Sequence, residues 1–219
     1  MPSDLKFLFH VKHGPEQRAA LVEMGDFAGS IGVELDATAG ERLLAFEEIL
    51  ADRAVRLGLI ARSDRGRIRR RHVMDCLRAV VAVRPGDDLA YDLGSGAGLP
   101  GIVVAIARPT LSVALVEPRN TRVAFLELAV ERLELRNASV VPGRIQDVTE
   151  TADLCFARAF APLDVAWGAA LPRLRPGGRL VYFAGAGSKR AEALLRARSV
   201  EVVETPVLES AGPLIIMGR

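Results

Sequence analysis

The sequence has few residues of the kinds that form metal centres, disulfide frameworks or membrane spans. Its two cysteines, Cys76 and Cys155, are isolated, so we expect free thiols in a protein of the reducing cytoplasm. Of its three histidines only His10 and His13 are close in sequence, and without a further His or Cys cluster beside them we expect no metal site. No apolar run approaches the roughly 20 residues of a transmembrane helix, so we expect no membrane association.

Aromatic residues and net charge are also scarce. Aromatics make up 5% of the chain, and the formal net charge at pH 7 is only +2, which excludes a polycation. The 219 residues, half of them hydrophobic, are enough for one α/β domain with an appendage and a sizeable core. We expect the protein to be a monomer.

The positive charge is concentrated in one segment, where six arginines are opposed only by Asp64. They are Arg62, Arg65, Arg67, Arg69, Arg70 and Arg71. Because these side chains repel one another unless an anion is nearby, we interpret the segment as a surface that contacts phosphates. The alternative is a solvated loop and helix start.

A glycine-rich turn, LAYDLGSGAGLPG from Leu89 to Gly101, is the most informative segment. An apolar run ends in Asp92 and is followed by alternating glycines, and a second apolar run, 112–116, ends in Glu117. The alternating glycines are Gly94, Gly96 and Gly98. This order, a strand, a glycine turn, a helix and a second strand that ends in an acid, is typical of nucleoside-binding sites. The glycines let the backbone approach the ligand, and the second acid accepts hydrogen bonds from ribose hydroxyls.

The spacing within this turn distinguishes between nucleotides. A literal G-x-G-x-x-G exists at Gly96, Gly98 and Gly101, but its first glycine lies beyond the strand end, where the NAD fingerprint does not place it. Asp92, two residues before G-x-G-x-G, suits a ligand with a cation close to the turn, such as S-adenosylmethionine (SAM). No histidine follows the turn, which also argues against a dehydrogenase. A glycine turn without a ligand is the alternative.

The hydrophobic pattern predicts an α/β fold with two parts. Residues 1–84 form an N-terminal segment, a helical cap and the arginine-rich link, and residues 85–219 form the cofactor-binding domain. In the first part, 15–58 reads as helical with a capping box at 38–41. In the second, strands and helices alternate, with a turn at 175–178, a helix at 188–198, and two last strands at 200–207 and 214–217 that imply an antiparallel hairpin.

Four segments resemble, in order, motifs of the bacterial small-subunit rRNA guanine-N7 methyltransferases, also called glucose-inhibited division protein B. GSGAGLPGIVVAIARP is similar to the family's glycine motif, and RHVMDCL (71–77) resembles its RH-x-x-D-S-L segment. GRIQD (143–147) lies where the family has a short Arg-x-Glu turn, and ARAFAPL (157–163) resembles S-R-A-F-A-S-L. The similarity covers roughly residues 38–219.

The resemblance implies a fold, a cofactor and a substrate. The fold is that of a class I SAM-dependent methyltransferase, a Rossmann-like and mostly parallel sheet with a C-terminal antiparallel hairpin and an N-terminal helical cap. The cofactor is SAM, and the target is a guanine in the decoding region of 16S rRNA, which makes the small ribosomal subunit the partner. We therefore expect a cytoplasmic enzyme.

The resemblance and the positions of the motifs also imply residue roles. We expect Leu99 to flank the amino-acid moiety of SAM, Ile145 and Gln146 to border its adenine, and Arg122 to contact RNA. Asp92, the three alternating glycines and Glu117 complete the predicted cofactor site.

Arg158, after the fourth strand, is our candidate for the catalytic residue. It could pair with the methionine carboxylate of SAM or donate to guanine O6, and the sequence leaves both open. Phe160 suits stacking on an extruded base or core packing. His72 and Asp75 share one helix face that leads into the site, where they would position other groups.

Methyl transfer to guanine N7 needs no general base, because the lone pair on N7 is available without loss of a proton. The sequence offers no convincing acid–base pair, which agrees with this chemistry. Two other functions remain open: methylation of another RNA or of a small molecule, since Ala184-Gly185 stands where the family often has Lys-Gly, and a non-catalytic SAM- and RNA-binding module in ribosome assembly.

Overall fold

Seven strands form one mixed sheet in the computed structural model of the protein, which describes residues 13–185, 197–205, 208 and 211–219. The strands are β1 (Leu89–Leu93), β2 (Ser112–Glu117), β3 (Ala138–Pro142), β4 (Ala152–Arg158), β5 (Leu174–Phe183), β6 (Ser199–Val203) and β7 (Leu214–Gly218). They lie in the order β3-β2-β1-β4-β5-β7-β6. The chain order reverses between β1 and β4, which is where ligands bind in open α/β sheets.

The strand directions confirm the predicted class I arrangement. β1 runs parallel to both β2 and β4, with Asp92 level with Leu115 and Phe156. β7 runs antiparallel to β5 and to β6, so the two last strands form the expected hairpin. The carboxyl ends of β1, β2, β3 and β4 consequently meet at one edge of the sheet.

Six α-helices and several short 3₁₀ or π-helical turns accompany the sheet in the described part of the chain. The α-helices are α1 (Pro15–Ser30), α2 (Ala37–Ile49), α3 (Asp75–Leu77), α4 (Gly101–Ala107), α5 (Asn120–Arg132) and α6 (Leu163–Ala170). No helix among the described residues is both long enough and apolar enough to cross a bilayer.

The N-terminal helices differ in detail from the sequence prediction. The predicted helix 15–58 is interrupted between Ser30 and Ala37, and α2 continues into a π-helical turn, Leu50–Ala54. The predicted capping box at 38–41 is wrong, because Asp36 is the N-cap residue and its carboxylate accepts from the N–H of Ala39 at 2.7 Å. Asp36 lies two residues before the predicted cap residue and satisfies an N–H of the first turn.

The segment 69–82 supports the carboxyl edge of the sheet. It is helical throughout, passing from a π-helical turn (Arg69–Met74) through α3 to a 3₁₀ turn (Arg78–Ala82). Buried residues such as Val73, Leu77 and Val80 tie it to the core. The segment therefore holds its polar side chains in fixed positions beside β4.

The predicted turn at 175–178 lies within the span of β5. The pairing of β4 and β5 shifts register between Ala152 and Leu154, so the residues of the predicted turn form an irregularity in the strand. A β-bulge absorbs such extra residues without ending the pairing. The predicted helix 188–198 and the segment before residue 13 lie largely outside the described residues.

Helices cover both faces of the sheet. One buried cluster joins α1, α2, α4 and α5 to inward-facing residues such as Leu115 and Phe156, and a second packs Trp167 of α6 against Tyr91 and Val116. The first cluster extends from Ala20 to Ile216, so the helical cap shares its core with the sheet. The division at residues 84 and 85 stays a prediction about folding units.

Candidate functional site

The glycine turn leaves β1 in a conformation that suits glycine. Gly94, Gly96 and Gly98 have φ angles of +65°, +57° and +79°, in the left-handed region that side chains disfavour. Space is also limiting at Gly94, where a Cβ atom would lie 2.8 Å from Cδ2 of Phe160. The turn therefore brings bare backbone to the carboxyl edge of the sheet. Leu99, which closes it, is buried.

Asp92 lies fully buried beneath this turn. Its Oδ2 accepts from the N–H of Gly101 at 3.1 Å, and its backbone oxygen accepts from the Ser95 hydroxyl at 3.0 Å. Oδ1 has no hydrogen-bond partner among the described residues. Burial raises the pKa of Asp92 to about 7. Asp92 thus anchors the turn to α4 and retains one buried acceptor that a ligand's cationic group would satisfy.

Glu117, at the end of β2, is buried against the same turn. Its Oε2 accepts from the N–H of Gly96 at 3.0 Å, and its Oε1 accepts from the N–H of Arg119 at 3.0 Å. Nη1 of Arg122 lies 3.6 Å from Oε2. The structure therefore brings Glu117 and the glycine turn together as expected, and it places Arg122 at that turn.

Ile145 and Gln146 lie in a 3₁₀ turn after β3, at the same edge of the sheet. Ile145 is buried, whereas Gln146 is exposed and its backbone oxygen accepts from Nη2 of Arg173 at 2.9 Å. Ile145 can line an apolar surface, and the side chain of Gln146 is available for a polar ligand.

The structure places Arg158 where β4 ends, between two sequence motifs. Its Nε donates to Oδ2 of Asp75 at 3.2 Å, and its Nη2 donates to the backbone oxygen of Arg71 at 3.1 Å and lies 3.1 Å from Nδ1 of His72. The ring of Phe183 lies on another side, with its centroid 6.0 Å from the guanidinium carbon. The RHVMDCL and ARAFAPL segments therefore meet at this one guanidinium.

The residue after Arg158 was not singled out by the sequence. Ala159 has a φ of +52°, a strained conformation for a residue with a side chain. Because the chain turns at Ala159, the side chains on either side of it point to different places. Arg158 contacts Asp75, and Phe160 lies against Gly94. Strain of this kind concentrates at functional sites.

The arginine-rich segment has more protein anions around it than the sequence suggested. Asp64, which is buried, accepts from Arg67 at 2.8 Å and from Arg71 at 3.0 Å. Burial alone would raise the pKa of Asp64, but the charges of Arg71 and Arg67 contribute to holding that pKa below its ordinary value. Mutual repulsion among these arginines is thus already relieved within the protein.

Arg69 and Arg70 pair with acids from the helical cap. Arg69 forms a two-pronged contact with Glu47, at 2.9 and 3.2 Å, and a third contact with Glu23. Arg70 donates to Glu23 at 2.6 Å. Sequence reasoning missed both glutamates because they lie more than twenty residues away in the chain.

Exposure separates the arginines that can reach a polyanion from those that support the fold. The side chains of Arg70, Arg67 and Arg71 are 74%, 60% and 45% exposed, whereas that of Arg69 is 29% exposed. Arg62 and Arg65 are exposed and form no ion pair within the described ranges. The segment therefore offers a charged outer surface that ends beside Arg158.

Comparison with protein families now identifies the chain. The family model described as rRNA small subunit methyltransferase G matches residues 40–210. This chain belongs to that family. The match includes the glycine turn, Glu117 and Arg158, and it confirms the resemblance seen in the sequence.

Relatives in the rRNA small subunit methyltransferase G family cover most of the chain. The enzyme of that name from Thermobifida fusca (strain YX) is 47% identical over 152 residues, which are 68% of this chain and 62% of that protein. The one from Kineococcus radiotolerans is 39% identical over 178 residues, which are 79% of this chain and 70% of that protein. The chain thus spans less than two thirds of the length of the first of them.

A solved structure supports the fold. A methyltransferase from Geobacter sulfurreducens matches with a TM-score of 0.54 at 17% identity, covering 90% of this chain and 96% of that one. At this identity the match bears on the fold alone. It confirms the Rossmann-like class I methyltransferase architecture that the strand order shows.

The site fits the cofactor of this methyltransferase family, SAM, as predicted. The glycine turn presents backbone, Glu117 lies at the end of β2, and Asp92 holds a buried acceptor without a partner among the described residues. Nowhere in the described part of the chain do three or more His, Cys, Asp or Glu side chains form a group that could hold a metal ion.

Proposed function

We propose that this protein transfers a methyl group to N7 of a guanine in the 16S rRNA of the small ribosomal subunit, with SAM as the methyl donor. Membership of the rRNA small subunit methyltransferase G family supports the reaction and the substrate class. The observation that carries the proposal is the junction at Arg158. There the arginine-rich surface meets the strained turn at Ala159, and Phe160 in that turn lies against Gly94 of the glycine turn.

The cofactor residues keep the roles inferred from the sequence. Asp92, Gly94, Gly96, Gly98 and Leu99 form the turn beneath the amino-acid moiety, and Glu117 binds the ribose. Ile145 and Gln146 border the adenine. When bound, SAM supplies an electrophilic methyl group on a sulfonium centre.

Glu117 performs two tasks in this proposal. Its Oε2 fixes the N–H of Gly96 and its Oε1 fixes that of Arg119, so the carboxylate orders the turn before the ligand arrives. Each carboxylate oxygen has more than one lone pair, and ribose hydroxyls can share them. Arg122, 3.6 Å away, compensates the charge and faces incoming RNA.

The reaction needs positioning more than proton transfer. N7 of guanine attacks through a lone pair that carries no proton, so no side chain has to act as a base. Orientation of the reacting atoms supplies up to about 7–11 kcal/mol in favourable cases. In this proposal Arg158 holds the base through hydrogen bonds and Phe160 holds it through its ring face.

RNA reaches the site over the arginine-rich surface. Arg62, Arg65, Arg67, Arg70 and Arg71 present the charge, and Arg69 braces the segment against Glu23 and Glu47. Phosphate contacts position a nucleic acid without reading its sequence. In this proposal the groups near Arg158 therefore recognise the target guanine.

Methyl transfer to isolated subunits tests the proposal. Small subunits from cells that lack this protein should accept tritium from labelled SAM, and reductive cleavage at N7-methylguanosine should map the label to one position in 16S rRNA. Label in another RNA or in a small-molecule fraction would favour the broader methyltransferase alternative. Binding of SAM and subunits without transfer would indicate an assembly factor.

We also propose that the protein works as a monomer in the cytoplasm. The residues that we assign to SAM, to the base and to RNA lie at or beside the carboxyl edge of one sheet, so a single chain is sufficient to form the site. Light scattering during size-exclusion chromatography, with and without SAM, tests the monomer.

A further inference from the structure

Among the residues that the structure describes, the hydrogen bonds of Arg158 leave one of its nitrogen atoms for a ligand. Nε is engaged by Asp75, and the two N–H groups of Nη2 point to the backbone oxygen of Arg71 and to His72. Within the described ranges Nη1 has no hydrogen-bond partner. The side chain is 19% exposed, so a ligand can approach it from one direction.

Asp75 fixes the guanidinium from one side. Its Oδ2 accepts from Nε of Arg158 at 3.2 Å and its Oδ1 accepts from Nη1 of Arg78 at 2.8 Å. Arg78 is almost fully buried and also donates to the backbone oxygen of Gly212 at 2.7 Å. Asp75 is therefore held by two cations, and rotation of Arg158 would break a partly buried contact.

His72 fixes the guanidinium from the other side. Nδ1 can accept from Nη2 of Arg158 only in the neutral tautomer that carries its proton on Nε2, and Nε2 lies 3.3 Å from Oδ2 of Asp64. Burial and the positive charge of Arg158 lower the pKa of His72 below its ordinary value. Arg71 and Arg158 face this ring and, together with burial, favour the neutral imidazole; they outweigh Asp64, which favours the protonated form.

An arginine held on two of its three nitrogens can donate to one acceptor atom of a ligand through the third. Two-pronged recognition of a carboxylate uses parallel N–H groups on two nitrogens, and two of the three nitrogens of Arg158 are engaged. A two-pronged contact with guanine covers both O6 and N7, whereas a base that is to be methylated must leave N7 open. One free nitrogen reaches O6 and leaves its neighbour N7 accessible.

We propose that Arg158 donates through Nη1 to O6 of the target guanine, and that it does not hold the carboxylate of SAM. Asp75 and His72 are the positioning residues that restrict Arg158 to this single contact. The inference rests on the proposed function and deepens it, because it assigns the recognition of the base to one nitrogen atom.

A SAM titration separates the two roles of Arg158. In calorimetry, the Arg158→Lys variant should bind SAM within about twofold of wild type, while its transfer to small subunits falls about 10-fold or more, as expected for a lost charged hydrogen bond. A SAM affinity about 10-fold weaker would overturn the proposal, since it would place the guanidinium on the cofactor. Circular dichroism checks that the variant is folded.

Two substitutions at His72 test the clamp. Asn offers an oxygen close to the position of Nδ1, whereas Leu offers none. His72→Leu should lower turnover about 10-fold or more with an unchanged SAM affinity, and His72→Asn should restore most of it. Equal turnover in the two variants would show that His72 is only a packing residue, and the clamp would be withdrawn.

The base itself provides a test that needs no unfolding control. Reconstituted subunits that carry 2-aminopurine at the mapped guanine retain N7 but lack O6. Wild type should methylate them about 10-fold or more slowly than normal subunits, and Arg158→Lys should show no further loss. Equal sensitivity of both proteins would overturn the O6 contact, whereas absence of transfer by wild type to normal subunits would instead refute the proposed function.

Discussion

Glu117 accepts a hydrogen bond through Oε2 from the backbone N–H of Gly96, 3.0 Å away. The acid that ends β2 therefore anchors the turn that follows β1. A residue expected only to bind ribose thus also shapes the glycine turn.

Removal of this carboxylate should weaken SAM binding without loss of the fold. Glu117→Ala loses charged hydrogen bonds to the ligand and to the turn, so we expect a loss of about 1.5–3 kcal/mol in binding free energy. Calorimetry with SAM measures it. Glu127→Ala, an exposed site on α5, is the matched control, and equal affinities in the two variants would remove Glu117 from the cofactor site.

Asp92 should make folding stability depend on pH. Burial raises its pKa from 3.8 to about 7, so the folded chain binds this proton more tightly than the unfolded chain. The resulting stabilisation is complete below about pH 4 and is lost as the pH rises to about 7. Above that pH the folded protein carries a buried carboxylate.

Asp92→Asn tests this linkage, because the amide keeps an acceptor for Gly101 and does not ionise. Without ligand, the variant should be more stable than wild type at pH 8, and the difference should shrink as the pH falls toward 4. Urea unfolding of both proteins measures it. A difference that grows on acidification would contradict the buried charge. At pH 8 the same variant should bind SAM more weakly if Oδ1 meets a cation.

The arginines should differ in what they contribute. Replacing Arg67 and Arg70 by Gln removes exposed charge, so RNA affinity should fall and the slope of log K against log[salt] should flatten by up to about 0.7–0.9 per lost contact. SAM affinity should stay unchanged. Arg136→Gln, which lies before β3 at the opposite edge of the sheet, is the control. An identical salt slope in all three proteins would show that the segment does not meet phosphates.

Arg69→Gln should act on stability instead. Arg69 bridges Glu23 and Glu47 between the helical cap and the segment 69–82. Its loss leaves Glu47 without the arginine that binds both its oxygens and leaves Glu23 with Arg70 alone, so the midpoint of urea unfolding should fall more than in Arg67→Gln. The reverse order would show that the bridge contributes nothing measurable.

The sequence was sufficient for the parts of the site that depend on local patterns. The glycine turn with Asp92 and Glu117 follows from strand ends and spacing, and the parallel topology brings those ends together without further information. The place of Arg158 followed from a resembling motif. Its partner Asp75 is 83 residues away in the chain, so spacing alone did not pair them.

Tertiary electrostatics could not be predicted in the same way. Six arginines in a short segment suggested an external anion, yet Asp64, Glu23 and Glu47 neutralise much of that charge from within. The two glutamates belong to α1 and α2, and only the packing of the helical cap brings them near. Likewise, residues 175–178 have the composition of a turn but lie within β5, where the pairing with β4 shifts register.

The backbone at Ala159 offers the last prediction. At a φ of +52° an alanine is strained, a glycine is not, and a β-branched residue is strained more than alanine. Ala159→Val should therefore destabilise the protein by about 1–3 kcal/mol, whereas Ala159→Gly should leave the free energy of unfolding equal to or above that of wild type. Ala124→Gly, at an exposed site in the middle of α5, should lose about 0.5–1 kcal/mol, because glycine weakens an ordinary helix. Urea unfolding of the three variants and of wild type measures the sign of each change in the free energy of unfolding. A loss at Ala159→Gly as large as that at Ala124→Gly would show that the turn between Arg158 and Phe160 carries no strain.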